Sequence, residues 1–134
     1  MKKFITTLIL CCMLISTFSF TAFAQDDYGV MPCYDNVSRA TVDISFSGTT
    51  GTAKGTAIKY SGVGNLEGTI TVYKKVNGQW TYVCSNSNST TGRSLTVSSS
   101  FTATANVEYK AVFTVVAYGT TTETISIDTT AINN

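Results

Sequence analysis

After an apolar opening stretch, hydrophobic and polar residues alternate along most of this chain, and that alternation defines its elements. Ala40, Val42, Ile44 and Phe46 interleave with Thr41, Asp43 and Ser45, so Arg39 to Ser47 reads as a strand with one apolar and one wet face. Gly48 to Gly51 reads as a turn. A second strand is expected over Thr52 to Ser61, with Thr56, Ile58 and Tyr60 alternating against Ala57 and Lys59, and with Gly55 marking a bulge or a close approach. Ser61 to Asn65, holding two glycines, reads as a loop. Leu66 to Ser85 (LEGTITVYKKVNGQWTYVCS) is a hairpin about Asn77-Gly78, since an Asn-Gly pair between strand-like runs is the strongest short-range hairpin signal. In its first arm, Leu66, Ile70 and Val72 share one face while Glu67, Thr69, Thr71 and Tyr73 share the other.

The polar run Asn86 to Gly92 (NSNSTTG) predicts an exposed loop. Ser94 to Ala103 is a fifth strand, with Leu95, Val97, Phe101 and Ala103 on one face. Val107 to Tyr118 is the longest run. Apolar residues on both of its faces (Tyr109, Ala111, Phe113, Val115 and Ala117; Val112 and Val116) make it a central strand. Gly119 to Thr121 turns the chain into a last strand, Thr122 to Thr129. No stretch carries helical periodicity over ten residues. Seven strands with turn signals every eight to twelve residues predict an all-β chain, a single immunoglobulin-like or fibronectin-III-like sandwich of antiparallel strands. An open barrel is the alternative.

The first residues follow a different pattern. Lys2-Lys3, the apolar run Phe4 to Phe20 and the small-x-small site Ala22-Phe23-Ala24 form a secretory signal peptide over residues 1–24. Residues 25–36, with Pro32, then make an extended arm, and residues 37–134 the sandwich. Secretion to the extracellular space follows, with no membrane span after cleavage. Lys2 and Lys3 leave with the signal, so seven cations face eight acids and the net charge falls from +1 to −1. Seven scattered cations lack the clustering that phosphate neutralisation needs, so nucleic acid is not an expected partner.

Cys11 and Cys12 fall in the signal, leaving Cys33 and Cys84 as an even pair. In an exported domain such a pair predicts a disulfide, worth about 4 kcal/mol through loop closure; two buried free thiols are the other reading.

Candidate chemistry is narrowed by what the chain lacks. It contains no histidine, which removes Ser-His and Cys-His nucleophile activation and the commonest zinc ligand. The acids show no calcium-loop spacing, so neither metal nor cofactor is expected, and a non-enzymatic role is the leading reading. Two carboxylate pairs, Asp43 with Glu123 and Glu67 with Glu108, keep a hydrolase formally open, although alternation directs each acid to solvent. A secreted antimicrobial or pore-forming protein is a further alternative, on small size and Ser/Thr/Gly richness.

What remains is recognition through aromatic side chains, directed at a surface protein or a glycan. The candidate strip is Tyr73, Trp80 and Tyr82, and its orientation depends on hairpin register. A two-residue turn pairs Val76 with Gln79, Lys75 with Trp80, Tyr73 with Tyr82 and Val72 with Val83, which sets the aromatics opposite Ile70 and Val72. A three-residue loop with a bulge at Gly78 puts Trp80 and Tyr82 with Ile70 and Val72, in the core. Large aromatics of small sandwiches tend to be buried, which favours the second register. Tyr109, entering a long strand just after a corner, is placed where a tyrosine corner would sit.

Two resemblances rest on these residues. Tyr109 to Gly119 (YKAVFTVVAYG) resembles a late strand and its following turn in fibronectin type III domains, though the proline-rich signature and early-strand tryptophan of that family are missing. The Lys-Lys signal, the ITVYKKVNGQW hairpin and the VEYKAVFTVVAYGTTTE strand pair together are similar to a group of small uncharacterised secreted proteins of Gram-positive bacteria. That likeness implies export and implies no activity or site.

Overall fold

The computed structural model describes residues 33–134; the expected signal peptide and most of the expected arm lie outside them. Seven strands follow in chain order: β1 (Val37–Ser47), β2 (Thr50–Lys59), β3 (Leu66–Val76), β4 (Gln79–Thr90), β5 (Ser94–Thr102), β6 (Glu108–Tyr118) and β7 (Thr122–Ile132). They form two sheets, one in the order β1-β2-β5 and the other β4-β3-β6-β7. Every pairing is antiparallel. The chain is therefore an all-β sandwich, and the strand count agrees with the alternation in the sequence.

The core lies between the inner faces, where Leu66, Ile70 and Val72 of β3 and Tyr109, Ala111, Phe113, Val115 and Ala117 of β6 meet Leu95, Val97 and Phe101 of β5. Central β6 is buried at every second position and half-buried at most of those between, as expected for a strand with apolar residues on both faces. The inward face of β2 runs Gly51, Ala53, Gly55, Ala57 and Lys59, all buried, so Ile58 and, just past the strand's end, Tyr60 turn outward. The small face is needed because the rings of Phe101 and Phe113 lie across it. Gly55 is thus a close approach within an unbroken ladder to β1 and β5. Gly68 of β3 serves the same ring from the other sheet: a Cβ there would come within 2.7 Å of Leu95 Cδ2 and 2.9 Å of Phe113 Cε2.

Turns are tighter than the sequence suggests. Ser47 pairs with Thr50, so Gly48 and Thr49 alone connect β1 to β2. Asn77 and Gly78 have φ of 51° and 80°, the left-handed pair that lets a two-residue turn follow the natural strand twist. At the β5–β6 corner, Tyr109 is 1% exposed and its hydroxyl accepts a 2.9 Å hydrogen bond from the Thr104 amide. Its ring packs on Phe101 and Phe46, with centroids 5.0 and 5.6 Å away.

Two expectations are corrected. Asn86 to Thr90 is not a loop: β4 continues through it in register with β3. Its residues hold a strand by side-chain hydrogen bonding. Ser85 and Ser87 face outward, 3.2 and 2.8 Å from the hydroxyls of Thr71 and Thr69. Asn86 and Asn88 face the other way, and their amides donate to the carbonyls of Ser98 (2.7 Å) and Thr96 (3.2 Å) on β5. The edges of the two sheets are laced together there.

The Cys33–Cys84 bridge is also absent: both thiols are free, Cys33 exposed and Cys84 half-buried. The topology explains it. The chain beside Cys33 is clipped to β7, where Glu123 accepts hydrogen bonds from the amides of Asp35 (2.9 Å) and Asn36 (2.8 Å). Cys84 stands on β4, the opposite edge of the same sheet, opposite Val72 and hence level with Ala111, six positions along β6 from the Ala117 that pairs with Glu123. Three strand spacings and six residues of rise separate the two points by roughly 24 Å. A bridge tolerates a Cα separation of only about 7 Å. The Cys84 thiol instead lies 3.2 Å from Ser99 Oγ across the sandwich.

Candidate functional site

The outer face of the four-stranded sheet is laid out in rows fixed by the ladders. Ser87, Thr69, Thr114 and Ser126 stand side by side across all four strands, a row of hydroxyls. Two rows further toward the hairpin tip, the composition changes to Tyr82, Tyr73, Lys110 and Thr130, and beyond it Trp80 stands opposite Lys75.

Trp80 and Tyr82 reach this face through the register of the two-residue turn, and a bulge just beyond them turns the rest of β4 the other way. The ladder runs Val76–Gln79, Lys75–Trp80 and Tyr73–Tyr82, as a two-residue turn requires, then shifts so that Val72 pairs with Cys84 instead of Val83. Alternation alone would send Trp80, Tyr82 and Cys84 to one face. The extra residue at Val83 reverses the first two relative to the third. The expected burial of Trp80 in the core is thereby corrected: Trp80 is half-buried on the outer face, and Tyr82 is 59% exposed.

The strip is held by cations. Lys110 Nζ lies 4.7 Å from the Trp80 ring centroid and 5.6 Å from that of Tyr73, and Lys75 Nζ lies 5.4 Å from Trp80. Tyr73 and Tyr82 meet edge to face at 6.4 Å. Lys75 also pairs with Glu108 at 2.8 Å, in a partly exposed ion pair. Exposed contacts of this kind contribute about 0.5–1 kcal/mol each. Their larger effect is to fix rings and ammonium groups as one mixed surface, aromatic and positive. Ile132, 53% exposed on the outer face of β7, borders it through its pairing with Glu108.

The carboxylates weighed from the sequence are not brought together. Glu67 pairs with Val116, eight positions along β6 from Glu108, which separates them by about 26 Å on one face. Asp43 is exposed on β1 of the three-stranded sheet, opposite Lys54 of β2, while Glu123 stands on β7 of the other sheet, engaged by the amides of Asp35 and Asn36. Glu67 accepts from the Tyr118 hydroxyl (3.0 Å) and from the Asn65 side-chain amide (3.2 Å). The hydrogen bond to Glu67, reinforced by partial desolvation and the nearby negative charge, holds the Tyr118 phenol above its ordinary value of 10.0.

Fold and site together define a seven-stranded antiparallel β-sandwich with an aromatic-cationic strip on one outer face. Comparison with known proteins adds no family: no family model matches the chain, and no curated protein matches it.

Proposed function

We propose that this chain is a secreted, non-enzymatic binding module that uses Tyr73, Trp80 and Tyr82, with Lys75 and Lys110, to hold an acidic glycan at or beyond a cell surface. The observation that carries this reading is the placement of three aromatic rings and two lysines on one outer face. Rings present apolar faces to the C–H faces of sugars, ammonium groups pair with acidic substituents, and the neighbouring Ser and Thr hydroxyls offer hydrogen bonds. A glycan is favoured over a protein because lysine is depleted in the desolvated centres of protein interfaces, and here lysine sits among the rings. The signal-type N-terminus supports export. The sheet order also places β4 beside β3, where a constant-type immunoglobulin domain would place it beside β5.

The test is titration of the protein with polygalacturonate and with uncharged dextran, read by the fluorescence of Trp80, the only tryptophan. Saturable quenching by the acidic polymer, weakened by salt and lost in Tyr82→Ala and in Lys110→Met, is the expected result. Equal responses to both polymers, or none, would remove the acidic-glycan reading. Retention of a surface protein that depends on Trp80 would move the strip to the protein class.

A further inference from the structure

A second, separate feature lies at the other end of the sandwich. Lys59 closes β2, and its side chain turns inward, where it is 7% exposed. Its ammonium donates to two backbone carbonyls, Gly64 of the β2–β3 loop and Thr91 of the β4–β5 turn (2.8 Å for the latter). An ammonium carries three N–H donors, and both of these acceptors are neutral. Among the described residues the one ion pair is Lys75–Glu108, at the opposite end of β3. Among these residues Lys59 is therefore a buried ammonium with no carboxylate partner, and buried charges are ordinarily paired.

Lys59 lines a concavity of about 450 Å³, together with Tyr60, Ser61, Gly62, Val63 and Arg93. Arg93, exposed on the β4–β5 turn, supplies a second cation, and among the described residues no acid stands in the lining. Of the acids toward this end of the sandwich, Glu123 is engaged by the amides of Asp35 and Asn36 and Glu67 by Tyr118 and Asn65, while the exposed Asp35 stands outside the lining, next to Asn36, whose carbonyl accepts from the Tyr60 amide.

From this geometry we infer that the end of the sandwich is a binding pocket for an oxyanion, a carboxylate or phosphate group carried on a larger molecule. Lys59 supplies charge from the floor, and the Arg93 guanidinium supplies a planar fork that can take two oxygens at once. Tyr60 and Ser61, both exposed residues of the lining, carry hydroxyls that can donate as well. The volume lies in the range of ligand pockets and far exceeds one oxyanion, so the rest of the ligand occupies the remainder. This site is independent of the aromatic strip, and either can fail without the other.

Amide NMR of the protein, titrated with sodium acetate and with inorganic phosphate against sodium chloride at equal ionic strength, tests the inference. The expected result is saturable shifts confined to Ser61–Gly64 and Gly92–Ser94 with at least one of the two oxyanions, and none there with chloride. The tighter of the two identifies the group as carboxylate or phosphoryl. Arg93→Gln, a substitution at an exposed turn position, weakens binding about tenfold or more, because it removes a charge-assisted hydrogen bond. Lys59→Met keeps the apolar stem and abolishes the shifts. Should Lys59→Met fail to fold, Arg93→Gln decides alone. Shifts matched by chloride, shifts at Tyr73–Tyr82 instead, or affinity unchanged in Arg93→Gln would overturn the proposal.

Discussion

Replacing Trp80 by alanine separates a surface tryptophan from a core one by energy. On the outer face, the side chain's specific partners are Lys110 at 4.7 Å and Lys75 at 5.4 Å from the ring centroid. Two exposed cation–π contacts amount to about 1–2 kcal/mol. A buried tryptophan cut to alanine would cost about 3–5 kcal/mol through lost transfer energy and the cavity left behind. With ordinary urea sensitivity, the smaller loss lowers the unfolding midpoint by about 1 M or less at an unchanged slope.

Because the substitution removes the only tryptophan, unfolding is followed by circular dichroism, with Phe113→Ala as the reference for core truncation, Phe113 being 0% exposed. A cycle with Lys110→Met adds a second readout. The coupling between the two positions should be about 0.5–1 kcal/mol, the scale of one exposed cation–π contact. A Trp80→Ala loss above 3 kcal/mol, equal to that of Phe113→Ala, would refute the outward placement and the strip with it.

Asn86→Ala combined with Asn88→Ala removes two hydrogen bonds to β5, for about 1–2 kcal/mol in total, and uncovers a strand edge; light scattering should then show concentration-dependent association. Tyr109→Phe leaves the Thr104 amide without its acceptor and should cost about 1–3 kcal/mol in urea unfolding, with the ring packing retained. Gly68→Val puts methyl groups where Leu95 and Phe113 already stand and should destabilise by about 1–3 kcal/mol, measured the same way. The raised Tyr118 phenol favours the folded state below pH 10, and that contribution is lost as pH rises through the folded value. Glu67→Gln should shift the Tyr118 titration to lower pH in ultraviolet difference spectra.

The fold was legible where alternation carried apolar residues. Val, Ile and Phe at every second position give β3, β5 and β6 their faces, and Asn77-Gly78 gives the turn with its left-handed pair. It was not legible where a strand is held by hydroxyls and amides. Nothing local distinguishes Asn86 to Thr90 from a loop, since the partners that make it a strand, Thr69, Thr96 and Ser98, are supplied by two other strands. Nor could composition show that β2 packs its glycines and alanines inward. That choice is made by the rings of Phe101 and Phe113, which lie far along the chain and need the space. The free thiols belong to the same class, because an even cysteine count carries no information about which sheet edge each cysteine occupies.

The aromatic strip was legible as residues, and as a surface in one of two turn registers; the sequence favoured the other, and what it did not show at all is one extra residue in β4. β4 has two tasks that ordinary alternation cannot combine. Its second half must point Cys84, Asn86 and Asn88 toward β5 to join the sheets, and its first half must point Trp80 and Tyr82 away from them. All five are even-numbered, so a regular strand would send them to a single face. The shift at Val83 resolves the conflict by inserting a residue between the halves. Bulges leave little trace in sequence, and ValCysSer is an unremarkable strand segment. The two-residue register at Asn77-Gly78 sets the rings beside Lys75 and Lys110 on the outer face, where a partner can reach them, and the insertion is what lets the rest of β4 still join the sheets.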